Sequence, residues 1–240
     1  MLYLVICDIS RLHAESAAGL SGVFGISSFL HEKKGEEKER SLGAYLTLAQ
    51  AYEHITVGIG KREKMPPLYR DLLGKPHFKE SGILKAFSIS HAGELVTVAL
   101  SDTEAAIGVD VEEERELKNP DKISSRLCIN ENSSLQNIEK EQVKYLFASM
   151  REDGGIDSFS PVPDIILDYM KDKKEKKKGE NEAKNESLFR LWTLTEAILK
   201  ADGGGFCSIR KLCEIASWAR CLSVAFNLSG RRVFLSAAVL

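Results

Sequence analysis

Two pairs of strands, each joined by a short glycine-containing turn, most constrain what this chain can fold into. The first pair is Ala86–His91 and Leu95–Leu100, and the second is Cys221–Leu228 and Val233–Leu240. Gly93 lies in the turn of the first pair and Gly230 in the turn of the second. Because consecutive strands joined by so short a turn pair with each other, both are expected to form antiparallel hairpins. The sequence therefore predicts antiparallel strands in both halves of the chain.

The other predicted elements do not alternate between strand and helix. Strands are predicted at residues 2–9 and Ala106–Glu112, with a short candidate at Ile55–Ile59. A helix is predicted from Ser41 onward, since Leu42, Tyr45, Leu46, Ala49 and Tyr52 recur at helical spacing, and another at Ser187–Asp202. This order disfavours a doubly wound parallel sheet and favours an α+β fold of two similar lobes with antiparallel sheets. We expect an N-terminal lobe at 1–105 and a C-terminal lobe at 106–240.

Composition and charge exclude several classes of protein. With 240 residues, 43% of them hydrophobic, the chain has enough apolar material for a core and is not a disordered protein. The net charge of −2 argues against nucleic acid as a partner. We expect no membrane segment, because no apolar run approaches the ~20 residues that a spanning helix needs. The start lacks the basic region of a signal peptide, and the five cysteines show no CxxC spacing, so we expect reduced thiols in the cytoplasm.

A charged insertion is predicted at about 150–186. Its last part, residues 171–186, contains seven lysines and five acidic residues. Such a composition is typical of a solvated, partly disordered segment. A basic docking tail is the alternative, although the local net charge is only +2.

The segment Ile107–Glu112 contains the first candidate for chemistry. Side chains alternate along a strand, so Asp110 and Glu112 share one face. Two carboxylates on one face repel each other unless a cation joins them, and Mg²⁺ prefers such oxygen ligands together with substrate phosphate. The alternative is an acidic strand end that continues into the solvated Glu112–Glu116 cluster.

The predicted helix Ser187–Asp202 contains the second candidate. Glu196 and Lys200 are four residues apart and therefore share a face of the helix. One interpretation is an ordinary surface ion pair. In the other, Glu196 is a third carboxylate ligand of the cation and Lys200 binds a phosphate group or an oxyanion. Three glycines, Gly203–Gly205, follow and either approach a ligand or form a flexible loop.

Three weaker signals lie in the N-terminal half. Ser90-His91 ends a predicted strand. His91 is either a histidine whose hydrogen bonds are made within the protein or a hydrogen-bond donor to phosphate. Lys75 lies in a Gly-Lys-Pro loop, and Arg40 directly precedes the helix predicted from Ser41. Both basic residues are candidates for anion binding.

Taken together and in order, these blocks resemble one family. Gly74-Lys-Pro, Phe87-Ser-Ile-Ser-His91, Ile107-Gly-Val-Asp-Val-Glu112 and Leu191-Trp-Thr-Leu-Thr-Glu196-Ala-Ile-Leu-Lys200 follow one another as in the 4′-phosphopantetheinyl transferases of the two-lobed, surfactin type. The matching blocks span about residues 74–206, and Arg40 extends a weaker match into the first lobe.

The resemblance implies a pseudo-dimer with its active site between the lobes. The implied reaction moves the 4′-phosphopantetheine arm of coenzyme A to a serine of an acyl or peptidyl carrier protein and releases adenosine 3′,5′-bisphosphate. Matching positions would make Asp110, Glu112 and Glu196 ligands of Mg²⁺. Arg40, Lys75, Ser90 and His91 would contact the nucleotide, and Lys200 the pyrophosphate. Glu196 is the candidate for accepting the serine proton, with Asp110 and Glu112 as alternatives. Two lobes in one chain remove the need for a partner subunit, so we expect a monomer.

The chain departs from the family pattern at two positions within the blocks. Thr195 replaces the lysine that precedes the helix glutamate, and Ser88 replaces the asparagine of the Phe-Asn-Ile-Ser-His block. Thr195 favours one alternative, a degenerate homologue that binds coenzyme A or a carrier without catalysis. A second alternative is a metal-dependent phosphohydrolase that uses the same carboxylates. The sequence does not identify the carrier or distinguish Mg²⁺ from Mn²⁺.

Overall fold

The computed structural model describes eleven stretches of the chain. They are residues 1–30, 34–80, 82–103, 106–117, 120–124, 127, 135–162, 168–169, 180–204, 211–228 and 230–240. Residues 170–179, which carry most of the predicted lysine-rich segment, lie outside the described residues, as does Gly205.

The described residues contain twelve strands and five α-helices. The strands are β1 (Leu2–Asp8), β2 (Leu68–Arg70), β3 (Pro76–Phe78), β4 (Ala86–Ala92), β5 (Leu95–Ser101), β6 (Ile107–Glu113), β7 (Gln136–Asn137), β8 (Val143–Met150), β9 (Ile156–Pro161), β10 (Asp168–Tyr169), β11 (Arg220–Leu228) and β12 (Arg231–Val239). The helices are α1 (Ala18–Val23), α2 (Gly35–Gly58), α3 (Pro120–Ser124), α4 (Glu180–Asp202) and α5 (Leu212–Ala216).

The first compact unit comprises Met1–Ala105 together with Lys140–Val162. Its main sheet has the order β4-β5-β1-β8-β9, in which only the β1–β8 pair is parallel. The helix α2 packs on this sheet through a mostly apolar face that includes Leu42, Leu46 and Tyr52. A separate two-stranded sheet pairs β2 with β3. The apolar spacing that predicted α2 therefore marks the face that is buried.

The second compact unit comprises Ala106–Glu139 and Pro163–Leu240. Its sheet has the order β10-β11-β12-β6, and all pairs along this path are antiparallel. The short strand β7 pairs with β11 in the parallel direction. The helix α4 lies against β6, β12 and β11, and α5 packs beside it.

Each unit contains the same series of a strand, a long helix and a hairpin. In the first unit the series is β1, α2 and the β4–β5 hairpin, with β5 antiparallel to β1. In the second it is β6, α4 and the β11–β12 hairpin, with β12 antiparallel to β6. Both predicted hairpins are confirmed, and the molecule is an α+β protein with antiparallel and mixed sheets.

Several local expectations differ from the structure. The helix predicted at Ser187–Asp202 begins seven residues earlier, because α4 spans Glu180–Asp202 and so includes the last part of the predicted insertion. Residues 140–162 were expected in the C-terminal lobe, but β8 pairs with β1 of the first unit. That parallel pair and the parallel pair of β7 with β11 make both main sheets mixed, where antiparallel sheets were expected. The strand predicted at Ile55–Ile59 is wrong, because α2 continues to Gly58. Ile55 extends the buried face that Tyr52 belongs to, so the established helix overrides the strand preference of β-branched residues.

Among the helices that the structure describes, none combines the length and the apolar character needed to cross a membrane.

Candidate active site

The site in the second unit depends on a close approach between α4 and β6. A Cβ atom placed on Gly108 of β6 would lie 1.9 Å from the carbonyl oxygen of Ala197 and 2.5 Å from the amide nitrogen of Ala201. Only glycine allows the backbone of the helix to lie this close to the strand. Gly108 and Asp110 share the face of β6 that α4 covers, because side chains alternate along a strand.

Lys200 of α4 contacts Asp110 of β6 directly. Its Nζ donates to Asp110 Oδ1 at 2.7 Å and to the carbonyl oxygen of Val109 at 3.2 Å. The Asp110 side chain is only 8% exposed and that of Lys200 is 32% exposed. The buried carboxylate is therefore held by a charge-assisted hydrogen bond from a lysine that the helix fixes in place.

Glu112 lies two residues further along the same strand and contacts a different cation. Its Oε2 accepts a hydrogen bond from Nη1 of Arg115, in the loop after β6. The Glu112 side chain is 18% exposed, whereas that of Arg115 is 56% exposed. Glu112, and with it the negative charges of Asp110 and Glu113, raises the pKa of Arg115.

Glu196 lies on α4, one helical turn before Lys200. Burial raises its pKa, and the negative charge of Asp110 raises it further, with a smaller effect from Glu112. The positive charge of Lys200 acts in the opposite direction. The structure thus brings together the four acidic and basic residues that the sequence singled out in this half of the chain: Asp110, Glu112, Glu196 and Lys200.

Three carboxylates in this arrangement offer the oxygen donors that a divalent cation prefers. After burial, the negative charges of Asp110 and Glu112 are what raise the pKa of Glu196, and a bound cation would relieve this repulsion. Among the described residues, no group of three acidic, histidine or cysteine side chains is placed to bind one metal ion. Asp110 and Glu112 instead contact Lys200 and Arg115. The donor chemistry fits a divalent cation, and binding one would require these contacts to rearrange.

Position 195, where the family pattern has lysine, lies in the interior. The Thr195 side chain is buried, and its Oγ1 has no hydrogen-bond partner among the residues that the structure describes. This position therefore adds no cation to the carboxylates. At the end of α4, Gly203 takes a positive φ of 81°, and its amide donates to the carbonyl of Leu199, so at least this glycine ends the helix.

Two of the predicted anion-binding residues of the first unit lie on separate elements. Arg40 lies within α2, and its guanidinium donates to Glu36 Oε2 at 2.6 Å, where both side chains are exposed. Lys75 lies in the turn between β2 and β3, and its amide donates to Asp71 Oδ1 at 2.9 Å. The helix start predicted at Ser41 is wrong by six residues, because α2 begins at Gly35. The amides at the beginning of α2 therefore do not lie next to Arg40.

Ser90 and His91 are neighbours near the end of β4. Ser90 is buried and His91 is exposed, as expected for consecutive residues whose side chains point to opposite faces of a strand. Their partners across the hairpin on β5 are Thr97 and Val96. Both residues also have contacts within the protein.

Two arginines that the sequence interpretation missed stabilise these regions. Arg115 contacts Glu112 and is the one basic residue in the acidic run Asp110–Glu116, which is the signal that could have identified it. Arg70 donates to the carbonyl of Gly74 at 2.8 Å and to Tyr45 Oη at 3.2 Å, which fixes the loop that carries Lys75. No short-range pattern marks Arg70, because Tyr45 is distant in the sequence.

Comparison of the chain with protein-family models and with curated proteins finds no match in either.

Proposed function

We propose that this chain is a Mg²⁺-dependent 4′-phosphopantetheinyl transferase. It would transfer the phosphopantetheine arm of coenzyme A to a serine hydroxyl of an acyl or peptidyl carrier protein and release adenosine 3′,5′-bisphosphate. The observation that carries the proposal is the convergence of Asp110, Glu112, Glu196 and Lys200 where α4 lies on β6. The family resemblance of the sequence blocks supplies the substrate class.

The proposal includes a pseudo-dimeric architecture with the active site between the two lobes. The shared series of strand, long helix and hairpin supports it, because each unit repeats the same pairing between its first strand and its hairpin. Arg40, Lys75, Ser90 and His91 of the first unit would contact the nucleotide. The free thiols of Cys7, Cys213 and Cys221 support a reducing, cytoplasmic location, and a monomer would suffice.

Asp110, Glu112 and Glu196 would hold Mg²⁺, and the ion would neutralise charge that develops on the pyrophosphate. Lys200 supplies a fixed positive charge beside Asp110 and would contact a phosphate oxygen of the substrate. Glu196 would accept the proton of the attacking serine, with Asp110 and Glu112 as alternatives. Burial raises the pKa of Glu196, which makes its carboxylate a stronger base than that of an exposed glutamate.

The test is intact-protein mass spectrometry of apo carrier proteins of several classes after incubation with this protein, coenzyme A and Mg²⁺. We expect the carrier to gain one phosphopantetheine, and EDTA to prevent the gain. Asp110→Asn should reduce the rate by about 100-fold or more, since its carboxylate would bind the metal. Asp102→Asn, which changes an exposed aspartate of the first unit, is the matched control and should retain the wild-type rate. Equal rates for the two variants would exclude Asp110 from the mechanism.

A second candidate is a binding module without catalysis, which the buried Thr195 favours because it leaves one cation of the family pattern missing. Binding of coenzyme A without modification of any carrier would support this function. A phosphohydrolase would instead cleave coenzyme A when no carrier is present, so the same incubation without carrier distinguishes the third possibility.

A further inference from the structure

We propose that Arg115 competes with a divalent cation for Glu112, and so sets the affinity of the carboxylate cluster for metal. This inference rests on the proposed function, because it concerns the same carboxylates. It assigns a role to a residue outside the four sequence blocks. Arg115 is a positioning residue, since it acts through Glu112.

The first argument is the balance of charge around the cluster. Asp110, Glu112 and Glu196 contribute up to three negative charges, and Lys200 and Arg115 contribute two positive ones. A divalent cation that enters beside both arginine and lysine would bring excess positive charge into a half-buried site. Release of one protein cation on binding restores the balance.

The second argument is that Arg115 is the easier of the two cations to displace. Lys200 is fixed on α4, donates to two acceptors and pairs with a carboxylate that is 8% exposed. The Arg115 side chain is 56% exposed, and it lies in a loop three residues after Glu112. Its guanidinium also donates to the carbonyl oxygen of Glu113, at a long distance of 3.4 Å.

The third argument is that Arg115 contacts an aromatic ring as well as Glu112, and a metal ion would not compete for the ring. Its guanidinium carbon lies 5.7 Å from the ring centroid of Phe189, which stacks on Phe234. A cation over an aromatic face gains about 0.5–1 kcal/mol at exposed sites, so the arginine keeps a favourable contact after leaving Glu112. A depression borders this ring and is lined by Arg115, Leu117, Ile123, Leu188, Phe189 and Trp192.

Binding of Mn²⁺ to the full chain, followed by the EPR signal of the free ion, tests the competition. We expect Arg115→Gln to lower the dissociation constant about fivefold, the upper end for an ion pair that is partly exposed. Arg231→Gln is the matched control, because Arg231 pairs at 3.0 Å with Glu113, the neighbour of Glu112 on the same strand. If loss of positive charge alone strengthened binding, Arg231→Gln would have the same effect, and the proposal would be wrong.

Movement of Arg115 has a separate readout in the fluorescence of Trp192. The chain has two tryptophans, and Trp218→Phe removes the other one, which is exposed. In that background, Mg²⁺ should change the emission of Trp192, and the change should disappear with Arg115→Gln. An unchanged response in that variant would contradict the displacement.

The metal assignment and the competition fail in different ways. If Mn²⁺ binds and Asp110→Asn weakens it, but Arg115→Gln does not strengthen it, the competition is wrong and the metal site stands. If no variant shows binding that depends on Asp110, the metal site of the proposed function fails together with the competition.

Discussion

The two long helices of this molecule cover their sheets in different ways. The helix α2 packs on the first sheet through apolar residues, among them Leu42, Leu46 and Tyr52. The helix α4 also buries an apolar face, but it brings Lys200 and Glu196 against β6 as well. The same series of strand, helix and hairpin therefore forms a mostly apolar helix–sheet interface in the first unit and an interface with charged residues in the second.

A glycine at each interface shows how the difference arises. In α2, a Cβ on Gly43 would meet the ends of the Ile9 and Leu12 side chains at 3.0–3.2 Å. On β6, a Cβ on Gly108 would meet the backbone of α4 at 1.9 Å. Side-chain ends can shift by rotation, whereas a helix backbone moves only as a whole. The charged interface thus depends on a backbone contact that the apolar interface does not need.

The largest effect is expected when Gly108 is replaced by alanine. The added methyl group forces α4 away from β6, and overpacking of this kind costs about 3 kcal/mol or more. For a chain of this size that corresponds to a fall in Tm of about 6–12 °C, measured by circular dichroism. The displaced helix also separates Lys200 from Asp110, so the metal affinity should fall as well.

Gly43→Ala is the matched control in the other helix. Alanine gains helix propensity of about 1 kcal/mol over glycine, which offsets the cost of shifting Ile9 and Leu12. We expect a change in Tm of no more than about 3 °C in either direction. Equal falls in Tm for the two variants would contradict the prediction that the close backbone contact at Gly108 makes its substitution the more costly one.

The second effect concerns two ion pairs with the same helical spacing. Glu186 of α4 accepts from Arg190, whose side chain is 8% exposed, and from Arg232 at 2.8 Å. Glu186→Gln leaves the buried Arg190 charge without its carboxylate, so we expect a loss of about 2–3 kcal/mol in the free energy of unfolding. Urea denaturation measures it directly.

The corresponding pair in α2 is Glu36 and Arg40. The Glu36 side chain is 82% exposed, so water solvates both charges when the pair is broken. Glu36→Gln should therefore cost less than about 0.5 kcal/mol. A similar cost for both substitutions would mean that burial of the α4 pair contributes little.

The difference between the two helix–sheet interfaces can be predicted from the sequence only in part. Helical spacing identified the buried face of α2, and the alternation of side chains along β6 placed Asp110 and Glu112 on one face. Both are local patterns, so they can be recognised without a structure. The approach of α4 to β6 at Gly108 joins residues about ninety positions apart, and no local pattern encodes it.

The missed elements have the same origin. The strand β8 pairs with β1 across more than one hundred residues, and the exposed strand β9 shows no clear apolar alternation. Arg115 was missed because its contact with Glu112 depends on the path of the loop after β6. The candidate acidic residues could thus be identified from the sequence. Of the basic residues that contact them, Lys200 could be identified in the same way but Arg115 could not.

The smallest predicted effect is an increase in stability, and it tests whether the charged interface is strained. Burial raises the pKa of Glu196, and Asp110 raises it further, so the folded protein holds this proton to a higher pH than the unfolded chain does. Stability therefore falls as pH rises from the ordinary glutamate range through the raised pKa.

Glu196→Gln removes the negative charge and the free-energy cost of burying it beside Asp110. We expect its Tm to exceed that of the wild type by about 1–3 °C at about pH 8, with the difference shrinking towards about pH 4. Glu36→Gln serves as the exposed control and should show no such gain. A difference for Glu196→Gln that stays constant across this range would mean that packing, and not charge, separates the variant from the wild type.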